Sequence, residues 1–115
     1  MSSLYLTSIR NQGASFLQSL ENNLKETENA EDLKNLARYW VDSCILLVDP
    51  AILACRDVPL LQPYGLFISI EFSRRFQTDA LKVSNLILNK TCDFHCKVQT
   101  IASLLVEFSQ PPVRF

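Results

Sequence analysis

Between residues 91 and 108 the apolar positions keep a helical interval. Phe94, Val98, Ile101, Leu105 and Phe108 are spaced by four, three, four and three residues, which puts them on one stripe of an α-helix. Residues 3–27 carry a similar pattern in Leu6, Ile9, Phe16, Leu17, Leu20 and Leu24. Gly13 is a weak point in that helix, and Leu4 to Thr7 also suit an extended chain, so the pattern is firm from Ala14 onward. A third stripe, Leu33, Leu36, Ala37, Trp40, Val41, Cys44 and Leu47, predicts a helix over 30–48. Asn29 is its expected N-cap, and Glu31 and Asp32 place negative charge on its first turn.

Punctuation in the middle of the chain predicts a break. Asp49-Pro50 should end the third stripe, because proline disfavours helix at the residue before it. Pro50 can then open a short helix, Ala51 to Cys55. Pro59 and Pro63 punctuate an apolar, packed connection containing Val58, Leu60 and Leu61. Tyr64 to Phe76 supports two readings. As a strand, Leu66, Ile68, Ile70 and Phe72 alternate with Ser69, Glu71 and Ser73; as a helix, apolar residues fall all round the axis, as in a buried central helix. Helix is favoured, since only Leu4 to Ile9 offers a partner strand.

Thr78-Asp79 is expected to start a further helix through Asn89. Asn89-Lys90-Thr91 then turns into the final helix, giving an αα-hairpin packed on the 30–48 helix. Residues 110–115, with Pro111-Pro112, read as a tail. The expected fold is all-α: a single compact domain spanning 1–115, with about five or six helices and a C-terminal αα-hairpin.

Composition narrows the function classes. Hydrophobic residues make up 48% of the 115 residues and charged residues 20%, a globular balance. The net charge of −1 is uneven, with eight acidic against five basic residues in 1–59 and four against six in 60–115. Neither half has the charge of a typical nucleic-acid binder. No apolar run reaches the roughly 20 residues of a membrane span, and the first ten residues lack the order of a signal peptide. An intracellular protein, cytoplasmic or nuclear, is expected, with no membrane partner and with Cys44, Cys55, Cys92 and Cys96 reduced. Two glycines supply no phosphate-binding loop.

Candidate chemistry is sparse. Cys92, His95 and Cys96 cluster, with Cys44 or Cys55 as further zinc ligands, but the spacing matches no common zinc module. Small half-buried residues on a second packing face explain the cluster more simply. His95 is the only histidine and has no recognisable nucleophile or carboxylate motif beside it. Arg74, Arg75, Lys82 and Lys90 make a basic patch that Phe72 and Phe76 would interleave with aromatic rings, as in single-strand binders. The structural alternative is a solvated helix end. Trp40, with Arg38 and Tyr39 beside it, fills a core or anchors an interface.

The surplus of apolar and aromatic residues points to a non-enzymatic protein–protein interaction module, a small subunit or adaptor that meets another chain or a second copy of itself. The expected partner-binding region is Tyr64, Phe67, Phe72 and Phe76 with Arg74 and Arg75. No catalytic residue, metal or cofactor is expected. The alternatives are a nucleic-acid-associated subunit using the basic C-terminal half, and a small helical metal protein or enzyme built on Cys92, His95 and Cys96.

Overall fold

A computed structural model describes residues 3–25, 28–56 and 58–110, with the side-chain surroundings of all of these except 3–8, 51–56, 61, 62 and 64–66. The expected tail beyond Gln110 lies outside the described residues. Four α-helices account for nearly all of them: α1 (Ser3–Leu24), α2 (Ala30–Arg56), α3 (Gln62–Leu88) and α4 (Phe94–Phe108). One turn of 3₁₀ helix, Pro59–Leu61, joins α2 to α3. Among the described residues there is no strand. The all-α class therefore holds, and the expected five or six helices become four because two expected breaks are not made.

The first is at Pro50, which lies inside α2 rather than ending it. A proline there removes the hydrogen bond to the carbonyl four residues back. Leu46 and Pro50 are both exposed, so the deprived carbonyl is on the solvent side, where water can replace the missing donor. Packing of α2 against α1 and α3 outweighs the local cost. The second is at Thr78-Asp79, which lies inside α3. The Thr78 hydroxyl donates back to the Arg74 carbonyl at 3.1 Å, a bond that a helix interior accommodates. Tyr64 to Phe76 is accordingly the first half of a helix 27 residues long, about 40 Å at 1.5 Å per residue.

Asn29 marks the entry to α2 in an unexpected geometry. Its φ is 62°, in the left-handed region that asparagine tolerates better than most residues, rather than the extended region of a normal N-cap. Its carbonyl accepts from the Leu33 N–H at 3.1 Å. The start of α4 is conventional. Asp93 has extended geometry (φ −73°, ψ 171°), and its side chain accepts from the Cys96 N–H at 2.8 Å. The turn before it is closed by Asn89, whose Oδ1 accepts from both the N–H and the hydroxyl of Thr91.

α2 and α3 pack against each other, and each also packs against α1 and α4. α1 and α4 make no close backbone approach among the described residues; each meets the α2–α3 pair separately. The expected C-terminal hairpin is present as α3–α4, resting on α2. All four helices contribute to the buried cluster, including Ile9, Leu24, Trp40, Val48, Phe76, Ile87, Ile101 and Phe108. At its centre Trp40 stacks on Phe76 at 4.7 Å and meets Phe16 edge-on at 5.1 Å, an arrangement that aromatic quadrupoles favour. Trp40 is thus core filling, while neighbouring Tyr39 is exposed. The Cα radius of gyration is 15.3 Å and the extents are 50 × 25 × 17 Å, against about 13 Å expected for a compact chain of this length. The elongated shape leaves more helix surface facing outward than a rounder bundle would.

Candidate functional site

The residues expected to anchor a partner separate into two groups. Phe72 and Phe76 are enclosed by the chain's own helices. Phe72 packs on Phe108 at 5.2 Å and Phe76 stacks on Trp40, so neither ring is available as a surface anchor or for interleaving with a basic patch. Phe67 is exposed, as is Ile70 one turn further along α3. The side chain of Tyr64 lies outside the described residues.

The two arginines are both engaged. Arg74 pairs with Glu71 on the preceding turn, and this hydrogen bond holds the Glu71 carboxyl below its usual range. Arg75 reaches across to the end of α4, where Nη1 donates to the Gln110 carbonyl at 2.5 Å and, more weakly, to the Phe108 carbonyl at 3.4 Å. Its guanidinium also lies 5.7 Å from the centre of the Phe72 ring. This is the helix-end role read from the sequence, but for the C-terminus of α4 and not of the arginine's own helix. Beside it a cleft of about 390 Å³ is lined by Glu71, Arg74, Arg75, Thr78, Asp79, Glu107 and Phe108, three acidic side chains against two basic ones.

The cysteine–histidine cluster is divided in depth. Cys96 and His95 are exposed on the first turn of α4, and Cys92 is half-buried in the turn before it. The Cys92 thiol donates to the Asp93 carbonyl at 3.7 Å. Among the described residues no group of three or more His, Cys, Asp or Glu side chains converges to hold a metal ion. Cys44 is in the core, its thiol pushed up to about 12 by burial and then by the charge of Asp79, so it adds no ligand to this cluster.

The stripe on α4 is displaced from the expected one. The buried residues are Lys97, Ile101, Leu104 and Phe108, spaced by four, three and four. Phe94 and Val98, expected in the core, are 49% and 39% exposed. The reason is Lys97. Its stem lies in the helix interface and its Nζ donates to the Ile87 carbonyl at 2.7 Å, meeting one of the unpaired carbonyls that end α3. A lysine read as polar therefore occupies a core position.

This rotation leaves a second apolar line on the surface, which the sequence reading missed. Phe94, Val98, Ala102 and Val106 recur at intervals of four, all exposed. The exposed residues among them are His95, Cys96, Gln99 and Ser103, so this face carries no Asp, Glu, Lys or Arg from Phe94 to Val106. The detectable signal was the repeated step of four among uncharged neighbours. Beside its N-terminal end lies a cleft of about 680 Å³, lined by residues that include Asp32, Leu33, Lys90, Cys92, Phe94 and Lys97. A shallower groove of about 520 Å³ runs between α1 and α3, past Gln12, Phe16, Phe76 and Leu81.

Among the described residues no helix is long and apolar enough to cross a membrane. Comparison of the chain with protein-family models, with curated proteins and with solved structures finds no match.

Proposed function

We propose that the chain is a non-enzymatic, intracellular protein–protein interaction module, a subunit or adaptor that receives another protein chain on the outer face of α4. The observation that carries this reading is the uncharged apolar line Phe94–Val98–Ala102–Val106. Depletion of charge with retention of aromatic and aliphatic area is the composition of an interface centre, and contiguous exposed apolar surface on a folded domain commonly marks a binding site. Phe67 and Ile70 on α3 add exposed apolar area on a second helix. The nucleic-acid alternative draws less support, because Arg74 and Arg75 already have partners within the fold.

The test pairs two measurements. Wild-type chain isolated from its source is examined for co-purifying protein, and the purified chain is examined by light scattering for self-association. Val98→Asp/Val106→Asp places charge on the exposed line without entering the core. The expected outcome is a complex or dimer in the wild type, lost in the variant, with circular dichroism unchanged. A wild-type chain that is monomeric at tens of micromolar and has no co-purifying protein overturns the reading.

A further inference from the structure

Charged residues make up 20% of the chain, yet two of its described surfaces carry none. One is the outer line of α4 with its neighbours His95, Cys96, Gln99 and Ser103. The other is the groove of about 520 Å³ between α1 and α3, none of whose lining residues is Asp, Glu, Lys or Arg. The two walls of the groove repeat one pattern. Gln12, Phe16 and Ser19 on α1, and Gln77, Leu81 and Ser84 on α3, follow one another at steps of four and three. Each wall therefore presents an apolar residue between two uncharged polar ones on a single helix face. The floor is held from beneath, since Phe16 meets Trp40 edge-on and Phe76 stacks on it. The walls are tied beside the groove by Gln12, whose Nε2 donates to the Ser73 hydroxyl at 2.6 Å. No residue of α4 lines this groove, and Leu81 at its rim is 71% exposed.

We infer that the α4 line of one molecule beds in the α1–α3 groove of a second copy of this chain, an inference that rests on the reading of α4 as the binding helix. Charge selects the occupant. A groove without charges leaves any charged side chain pressed into it desolvated and unpaired. What fits is an uncharged helix face, and this chain carries one. Shape agrees with charge. The walls run from residue 11 to 19 and from 76 to 84. Val98, Ala102 and Val106 span the same interval of eight residues, about 12 Å at 1.5 Å per residue. Valine and alanine are short enough for the shallow space between two packed helices. Gln99 and Ser103, beside the line, meet Gln77 and Ser84 on the rim, with uncharged donors and acceptors on both sides. α4 already lies on one helix pair, α2 and α3, through its inner stripe; the outer line does the same on a second pair, in another molecule. The contact joins two different surfaces, so each molecule keeps one line or one groove open. Association then runs past the dimer unless the rotation closes a ring.

The test uses the full chain and sedimentation velocity from micromolar to hundreds of micromolar. Two variants each spoil one surface: Val98→Asp/Val106→Asp on the α4 line, and Ser15→Glu/Leu81→Glu on the two walls of the groove, all four positions being exposed. Circular dichroism checks that both fold, and Val98→Gln/Val106→Gln or Leu81→Gln replaces a variant that does not. The wild type should self-associate, and each variant alone should do so at least about ten-fold more weakly, because its new charge would be buried without a partner. An equimolar mixture of the two variants should recover a one-to-one dimer that grows no further, since one intact line then meets one intact groove. A wild type that stays monomeric throughout overturns the inference; a different protein that co-purifies with it and is lost in Val98→Asp/Val106→Asp then leaves the reading of α4 standing. Self-association that survives Ser15→Glu/Leu81→Glu and fails only in the α4 variant means that α4 pairs with α4, which overturns the inference and keeps α4 as the binding helix. Self-association that survives Val98→Asp/Val106→Asp overturns both. A mixture that remains monomeric overturns the inference as well.

Discussion

A Cβ placed on Gly13 would lie 2.6 Å from Cγ1 of Val41, closer than two carbon atoms pack. The glycine that looks like a flaw in α1 is where α1 leaves room for the Val41 side chain of α2. Gly13→Ala should gain helix propensity, by about 1 kcal/mol, yet force Val41 out of place in a buried site, at a cost of about 1–3 kcal/mol. Net destabilisation is expected in the wild-type background. In Val41→Ala the obstruction is gone, and Gly13→Ala should become neutral or stabilising. Urea melts of the four members of this double-mutant cycle measure the coupling. A stabilising Gly13→Ala in the wild type would show that the helices can separate at no cost.

Lys97 and the end of α3 supply a second test. Lys97→Met keeps an apolar stem in the interface but leaves the Ile87 carbonyl without its 2.7 Å donor. Loss of about 1 kcal/mol is expected, the usual net worth of such a bond. Lys97→Ala removes the packing as well and should cost about 1–2 kcal/mol more. Equal melting of the two variants would mean that the stem contributes nothing.

Asp79 gives the fold a pH dependence of defined sign. Burial, and after it the neighbouring Glu107 carboxylate, raise its pKa against the opposing pull of Lys82 and Arg75. An acid with a raised folded-state pKa contributes stability that is fully present below its unfolded value, near 3.8, and is lost as pH rises through the folded value. At pH 7 the ionised carboxylate is therefore a small liability. Asp79→Asn should stabilise there, by a few tenths of a kcal/mol because the group is only half-buried and screened by solvent. The difference should vanish at about pH 3. Urea midpoints of both proteins at the two pH values decide the matter; destabilisation at pH 7 would mean that the attraction to Lys82 and Arg75 outweighs burial.

What was legible in the sequence follows from the range of the forces involved. The helical period of 30–48 comes from side chains within a few turns of one another, so α2 could be read along with its acidic first turn. Pro50 could not be placed correctly, because its cost is local while the packing that overrides it comes from α1 and α3. Thr78-Asp79 resembled a helix start for the same reason. On α4 both stripes share one period, and only the neighbouring helices decide which is covered. The long stem of Lys97 tips that choice and is invisible to a reading that scores lysine as polar. Phe72 and Phe76 were recognised as important aromatics, but whether they face inward depends on Trp40 and Phe108, each more than 30 positions away in the chain. That Cys92 and Cys96 stand one turn apart was foreshadowed by spacing, whereas the greater exposure of Cys96 was not.

The separation of α1 from α4 has an energetic corollary. Each reads the other only through the α2–α3 pair, so substitutions confined to the outer helices, such as Gly13→Ala on one and Lys97→Met on the other, should have additive free energies. Loosening one outer helix need not loosen the other, and amide exchange in α1 and α4 should then report two distinct opening events rather than one. A chain built this way can rearrange α4 while α1 keeps the central pair folded.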